Sequence, residues 1–123
     1  KKGNENPNIK MQNLISILKD DGLNMNYIKC GSDSKIMQER EQWTDGANAF
    51  TLSPGKIIGY DCNTHTLEEL KKAGYQVIST TEYIDKYKYY NESENKFIIT
   101  IQGSELLRGR GGPRCLTLPL FRV

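Results

Sequence analysis

Helix-like and strand-like segments alternate along this sequence, and this alternation is the feature that most restricts its fold. The segments "YQVIS" and "FIITI" are short, apolar and rich in β-branched residues, which is typical of strands. Between them, apolar side chains recur at the spacing of one helix face: Tyr83, Ile84, Tyr87 and Tyr90. The alternation predicts a mixed α/β fold, with the tyrosines serving in packing.

The N-terminal part of the chain predicts one helix and one strand. In "IKMQNLISILKDDG" the apolar residues lie on one helix face, and Gly22 is placed where a helix commonly ends. Those apolar residues are Met11, Leu14, Ile15 and Leu18. The next segment, "NYIKC", is a short strand candidate, and the polar stretch "GSDSKIMQEREQWTDG" that follows is assigned no element.

The middle and the end of the chain complete the predicted order. "ANAFTLS" and "KIIGYDC" are joined by Pro54-Gly55 and predict a hairpin. In "THTLEELKKAG", Thr66 and Glu69 have the spacing of a capping box, and Gly74 ends the helix. "CLTLPL" alternates like a last strand, so the order is α-β-β-β-α-β-α-β-β without repeats or a linker.

Composition narrows the class of protein. A chain of 123 residues with 37% hydrophobic and 26% charged residues is typical of one globular domain. No segment resembles a signal peptide or a membrane span, and three cysteines do not make a disulfide framework, so we expect a soluble cytoplasmic protein. A net charge of +2 gives no electrostatic argument for nucleic acid or membrane partners.

The segment "GRGGPRC", from Gly109 to Cys115, is the main candidate site. A phosphate loop is disfavoured because its glycines should precede a helix, whereas a strand is expected here. A nucleic-acid hook is disfavoured because such arginine-glycine repeats act in numbers, and this one occurs once.

A zinc site is the third alternative for these residues. Cys62 and His65 form a C-x-x-H pair, which Cys30 and Cys115 could complete. Structural zinc sites usually take their ligands from two close pairs, and here two ligands would come singly from distant positions. We therefore expect no metal, with Cys30 and Cys62 as half-buried strand residues and His65 as a polar turn residue.

The fourth alternative is a nucleophilic Cys115. The cations Arg110 and Arg114 would favour the thiolate, and the glycines let backbone approach a planar substrate. On residue types alone this interpretation is no stronger than that of an ordinary buried thiol.

A resemblance favours the nucleophile. "EREQWTDGANAFTLSPGKIIGYDCNTHT", "AGYQVI" and "GSELLRGRGGPRCLTLPL" resemble the C-terminal part of arginine deiminases, which belong to the guanidine-modifying (pentein) superfamily. The resemblance runs from Cys30 to the end, except for 79–97, which is longer than in many members. Residues 1–29 are a lead-in helix and strand without a diagnostic motif.

The resemblance implies a hydrolase that converts L-arginine to L-citrulline and ammonia without a cofactor, on an α/β propeller of αββαβ-type modules. Cys115 falls on the family's nucleophile, Arg110 on a mobile-loop arginine beside the substrate, and Gly109 on a backbone position lining the pocket. Arg114 replaces a histidine found in some members.

The family's general-base histidine and its guanidinium-binding acids have no counterpart here. His65 lies in a non-catalytic part of the resemblance, and Asp33, Asp45 and Asp61 are better explained by turns and caps. We therefore expect 1–123 to be one C-terminal fragment of a longer enzyme, inactive alone and able to self-associate through surfaces its parent chain would cover. The rival interpretations are an amidinotransferase or another guanidine hydrolase, and a non-catalytic binding or assembly module.

Overall fold

Four strands form one mixed sheet in the computed structural model, which describes residues 14–118 and residue 120. The strands are β1 (Phe50–Ser53), β2 (Lys56–Tyr60), β3 (Gln76–Ser79) and β4 (Phe97–Ile101), and they lie in the order β1-β2-β4-β3. β1 and β2 are antiparallel, whereas β4 runs parallel to both of its neighbours.

Five α-helices and one 3₁₀ turn accompany this sheet in the described part of the chain. They are α1 (Leu14–Asp20), α2 (Lys35–Trp43), α3 (Thr64–Lys72), α4 (Thr80–Asp85), α5 (Tyr87–Glu92) and η1 (Leu106–Gly109). Within the described ranges, no helix is both long enough and apolar enough to cross a membrane.

The core lies on both faces of the central strand β4. Phe97, Ile98 and Ile99 are at most 3% exposed, as expected for an apolar run in a strand covered on both sides. Ile98 packs with Leu67 and Leu70 of α3, while Phe97 and Ile99 belong to a second cluster on the opposite face. That second cluster also contains Ile78 and Tyr90, with Ile58 and Tyr83 packed against it. Helices on both faces of the sheet confirm the predicted mixed α/β class.

Most local predictions are confirmed. The hairpin, the strands in "YQVIS" and "FIITI", and the first helix are present, although Met11 lies outside the described residues. Gly22 and Gly74 follow the ends of α1 and α3 with φ of 81° and 87°, a left-handed conformation that glycine adopts without a Cβ clash.

The tyrosine-rich segment forms two short helices, α4 and α5, instead of one. Tyr83 and Tyr90 pack on Phe97 with ring centroids 6.0 and 5.3 Å away, which confirms the packing interpretation for these two rings. Ile84 and Tyr87 are 63% and 50% exposed, so they are not part of that cluster.

Two predicted strands are wrong. "NYIKC" has no strand structure because it runs into a turn in which Gly31 and Ser32 have φ of 75° and 64°, and it pairs with no strand in the described part of the chain. "CLTLPL" fails for a related reason: the Leu116 and Thr117 amides bond back to the Gly112 and Arg114 carbonyls, so they are not available to a ladder. Pro119 lies outside the described residues.

The capping box is also wrong, and the structure shows what replaces it. α3 begins at Thr64, so Thr66 lies inside the helix, and its hydroxyl donates to Glu41 Oε2 at 2.6 Å. The amides of His65 and Thr66 also donate to the Glu41 carboxylate, both at 2.8 Å. Glu41 belongs to α2, the helix that the sequence did not predict, and its carboxylate satisfies the free amides at the start of α3.

Replacing the Glu41 carboxylate tests this connection. Glu41 is 2% exposed, and Glu41→Gln removes its charge and turns an amide donor toward the amides of α3. We expect the free energy of unfolding to fall by about 2–3 kcal/mol, measured by urea denaturation, since hydrogen bonds to a buried charge are the strong ones. Glu39→Gln, on an exposed position of the same helix, should change it by less than about 0.5 kcal/mol. Equal losses in the two variants would contradict the bridging role.

A second carboxylate links α4 to α5. The Tyr90 hydroxyl donates to Glu82 Oε1 at 2.7 Å, and this bond is the main reason that the pKa of the Glu82 carboxyl is lowered and the pKa of the Tyr90 hydroxyl is raised. Burial opposes the shift at Glu82, and Lys86 adds to it. The folded state therefore favours the Glu82 carboxylate.

The lowered pKa of Glu82 makes the stability of the fold depend on pH. Because the pKa of Glu82 is lower in the folded chain, its contribution to stability is complete above the ordinary value of 4.5 and is lost as the pH falls through the folded value. Tyr90→Phe removes the hydrogen-bond donor to Glu82. When the pH is lowered from neutral into the acid range, we therefore expect the free energy of unfolding to fall less in this variant than in the unaltered chain. Tyr89→Phe, at an exposed neighbouring ring, is the control, and urea denaturation at several pH values is the measurement. Equal acid sensitivity of the Tyr90→Phe variant and the unaltered chain would refute this explanation.

Candidate functional site

The segment that follows β4 carries the candidate site, and a hydrogen bond from Tyr60 holds it against β2. After η1, Arg110 adopts φ of 55°, and the chain then enters the buried residues Gly111, Gly112 and Pro113. Tyr60 is 2% exposed and donates its hydroxyl to the Gly111 carbonyl at 2.7 Å. This bond fixes the loop over the end of β2 while leaving Arg110 and Cys115 exposed on either side.

The loop between α2 and β1 meets this segment. Asn48 Nδ2 lies 2.8 Å from Cys115 Sγ, and the Asn48 carbonyl accepts from the Arg114 amide at 3.5 Å. Gly112 lies against the same asparagine, so closely that a Cβ at Gly112 would lie 2.3 Å from Asn48 Cβ. A residue with a side chain at 112 would therefore displace Asn48 from the sulfur.

Two hollows open where the loops meet. Gln42 and Asp45 line both of them. The first is also lined by Glu39, Trp43 and Arg110, and the second by Ala47, Asn48, Arg114 and Cys115. Each hollow therefore combines carboxylate and guanidinium groups, and the cysteine thiol is in the second.

Arg110 is stacked on Trp43. Its guanidinium carbon is 4.3 Å from the centroid of the indole ring, which is cation–π geometry. Trp43 is 67% exposed, so this contact is worth about 0.5–1 kcal/mol. A contact of that size holds Arg110 over the first hollow without preventing its movement.

Charges near the thiol act in opposite directions. Arg114 favours an anion in the second hollow, and Asp45 opposes one. Burial is the main cause of the raised pKa of the Tyr60 hydroxyl, and electrostatic interactions with Asp45, Cys62 and Cys115 raise it further. Tyr60 therefore remains a hydrogen-bond donor to the loop at neutral pH.

The residues predicted from sequence are partly brought together. Cys115 and Arg110 line neighbouring hollows, and Gly109 is the exposed residue directly before Arg110 at the end of η1. Of the three aspartates considered as acids, Asp45 lines both hollows, Asp33 pairs with Lys29, and the Asp61 amide bonds to the Ile101 carbonyl.

The alternative metal set is not assembled. Cys30 and Cys62 are half-buried as expected but lie in turns instead of strands, and all three cysteines are free. Burial and the nearby Asp61 raise the pKa of the Cys62 thiol. His65 is the second residue of α3, where its amide is bonded to Glu41. Among residues 14–118 and 120, no group of three or more histidine, cysteine or acidic side chains could hold a metal ion.

Sequence reasoning did not single out Trp43, Asn48 and Tyr60 as site residues. A signal was present, because Trp43 and Asn48 lie in "EREQWTDGAN" and Cys115 lies in "RGRGGPRC", two stretches within the segments that carry the resemblance. The structure shows these two stretches in contact, through Trp43 with Arg110 and through Asn48 with Cys115.

Comparison with known proteins identifies the family. The model of the family described as arginine deiminase matches residues 2–122. This chain is a member of the arginine deiminase family. An arginine deiminase of Mycoplasma capricolum subsp. capricolum is 41% identical over 110 residues, which cover 89% of this chain and 22% of the relative. The arginine deiminase of Streptococcus gordonii is 38% identical over 95 residues, covering 77% of this chain and 18% of the relative. That of Listeria innocua serovar 6a is 38% identical over 98 residues, covering 80% and 19%. The chain thus spans about a fifth of the length of these relatives.

The stacking of Arg110 on Trp43 can be tested by fluorescence, since Trp43 is the single tryptophan of the chain. Arg110→Ala uncovers one face of the indole, so we expect stronger acrylamide quenching, with a loss of stability of no more than about 1 kcal/mol. Arg108→Ala is the control, because Arg108 is directed instead to Glu105, with Nε 3.4 Å from Oε2. Identical quenching in the two variants would show that Arg110 does not cover the ring in solution.

Proposed function

We propose that this chain is the cysteine-bearing part of an arginine deiminase, which hydrolyses L-arginine to L-citrulline and ammonia. The observation that carries the proposal is the exposed Cys115 thiol, held by the Asn48 amide at 2.8 Å beside a hollow lined by charged groups. The family match and the relatives named arginine deiminase support it.

The proposed reaction proceeds through two substitutions at the guanidinium carbon. The Cys115 thiolate attacks this carbon and forms a C–S bond, and one nitrogen leaves as ammonia after taking up a proton. Water then adds to the same carbon of the thiouronium intermediate and loses a proton. The C–S bond breaks, releasing citrulline and restoring the thiolate. The overall balance is arginine plus water giving citrulline plus ammonia, with side chains and water as the only participants.

Arg110 and Gly109 are proposed to line the substrate pocket. Arg110 lies over a hollow that also contains Glu39 and Asp45, and its guanidinium is held there by a weak stacking contact with Trp43. Gly109 is exposed directly before it, and apart from its chain neighbours no atom of the described residues lies within 4 Å of where its Cβ would be, so a substrate could approach this backbone closely.

The proton transfers need groups from outside this chain. His65 is the single histidine of the sequence and lines neither hollow. We therefore propose that residues 1–123 form one C-terminal fragment of a pentein catalytic domain, built as an α/β propeller of αββαβ-type modules. The base and further carboxylates then come from the rest of the longer chain, and the fragment alone is inactive.

The surface beside the site fits this arrangement. Leu116, Leu118 and Leu120 are 57%, 80% and 89% exposed and follow directly after Cys115. We propose that the rest of the parent chain covers them, and that a separated fragment uses them to self-associate as a homo-oligomer. Three free cysteines fit a reducing compartment, which supports a cytoplasmic location.

Product analysis of the complete parent chain tests the proposal. We expect it to release citrulline and ammonia in equal amounts from L-arginine, and Cys115→Ala to lower the rate by roughly 10³-fold or more. Cys62→Ala, at a half-buried cysteine, is the matched control and should keep most of the activity. The 123-residue chain alone should release no citrulline.

Three results would contradict parts of this proposal. Full activity of the Cys115→Ala enzyme would show that Cys115 is not the nucleophile. Turnover by the separated chain would show that its acid and base groups are not missing. Ornithine released only when an amine acceptor is added would replace the deiminase by an amidinotransferase, which uses the same cysteine.

A further inference from the structure

The side chain of Asn48, in the loop between α2 and β1, has an unusual hydrogen-bonding arrangement at the candidate site. Its Nδ2 is 2.8 Å from Cys115 Sγ, while its Oδ1 is buried and has no partner among the described residues. A buried amide oxygen without a partner is costly, and polar groups left in this condition are rare in folded proteins. The side chain is therefore oriented toward the sulfur at the expense of its own oxygen.

The surrounding backbone holds Asn48 in this orientation. Its amide donates to the Asp45 carbonyl at 2.9 Å, and its carbonyl accepts from the Arg114 amide. Gly112 closes the other side of the side chain, where a Cβ would lie 2.3 Å from Asn48 Cγ. The asparagine is thus confined between its own loop and the segment that carries Cys115.

We propose that Asn48 is a positioning residue for Cys115, with its amide N–H donating to the sulfur and fixing the direction in which the sulfur points. This inference rests on the proposed function of Cys115 as nucleophile. A hydrogen bond to the charged form of a group stabilises that form. The amide is neutral, so it also leaves the hollow free of an additional cation that would repel a guanidinium substrate.

Other groups face the same thiol and have to be separated from Asn48 in a test. Arg114 and Asp45 line the hollow with Cys115 and bring opposite charges to it. Tyr60 lies beneath the loop, bonded to the Gly111 carbonyl. A substitution at Asn48 leaves these three side chains in the sequence, so the comparison of such a variant with the unaltered chain is directed at the loss of the amide donor.

The test measures thiol reactivity in the complete parent chain. The rate of Cys115 alkylation by iodoacetamide is followed against pH, with the modified residue located by mass spectrometry. Asn48→Leu removes the donor at nearly constant volume, and we expect the midpoint of the profile to move to higher pH by about one unit, with alkylation at neutral pH about tenfold slower. Asn48→Asp should move it at least as far, because a carboxylate replaces the donor with a negative charge.

The matched control is Gln42, a second amide lining the same hollow. Gln42→Leu should leave the midpoint within a few tenths of a unit, and a shift equal to that of Asn48→Leu would overturn the proposal. An unchanged midpoint in the folded Asn48→Leu chain would also overturn it. If Asn48→Leu does not fold, as judged by circular dichroism, the smaller Asn48→Ser is used, with the same shift expected because its hydroxyl is too short to replace the amide.

Alkylation separates this inference from the proposed function, because it requires no turnover of arginine. Citrulline release with an unchanged profile in Asn48→Leu overturns the positioning role and leaves the deiminase reaction standing. A shifted profile in a parent chain that makes no citrulline supports the contact and overturns the proposed function. Where both hold, kcat/KM for L-arginine at neutral pH should fall about tenfold in Asn48→Leu and recover as the pH is raised.

Discussion

The carboxylate of Glu41 joins two helices whose relative position the sheet alone does not determine. It accepts three hydrogen bonds from the start of α3, which is packed on the sheet through Leu67 and Leu70. The backbone carbonyl of the same Glu41 accepts from the Gly46 amide, which begins the loop that carries Asn48. Because α2 is held at its last turn, the loop after it leaves from a fixed point, and the candidate site depends on that.

The order of the strands explains why two distant stretches of sequence meet. β2 and β4 run parallel, with Tyr60 opposite Ile101, so their C-terminal residues lie side by side at the same end of the strands. β1 runs antiparallel to β2, with Phe50 opposite Ile58, so β1 begins near the end at which β2 and β4 finish. The loop before β1 and the segment after β4 are therefore neighbours, and the contact between Asn48 and Cys115 follows from the topology.

The sequence predicted those parts of the fold that are determined locally. β4 is recognisable because its buried residues are consecutive and apolar, and the hairpin because Pro54-Gly55 separates two apolar runs. α2 was not predicted because its stability comes from Glu41 and the loops around it, not from an apolar stripe. The "CLTLPL" segment has the alternation of a strand, but its amides are used in a local turn.

The sequence predicted which residues form the motif of the candidate site, but not which side chains contact one another there. Residue types and resemblance pointed to Cys115, Arg110 and Gly109, but no local pattern indicates which side chain lies against the thiol. That contact depends on Gly112, whose missing side chain matters only once Asn48 is placed opposite it. Spacing along a chain does not contain this information, whereas the sheet topology does.

The site also shows where the chain accepts unfavourable conformations. Asp45 and Arg110 are non-glycine residues in the left-handed region, with φ of 56° and 55°, and both line the first hollow. Ser32 has φ of 64° and lies in the turn before α2, so positive φ is not confined to the site. What distinguishes the site is the combination of this backbone strain with an exposed thiol and with the buried Asn48 Oδ1, which has no hydrogen-bond partner within the described part of the chain. The strained backbone and the buried amide oxygen lower stability, and the same residues place the Arg110 guanidinium at the first hollow and the Cys115 sulfur, the Asn48 amide and the Arg114 guanidinium at the second. This concentration of unfavourable features supports the proposed chemistry at Cys115.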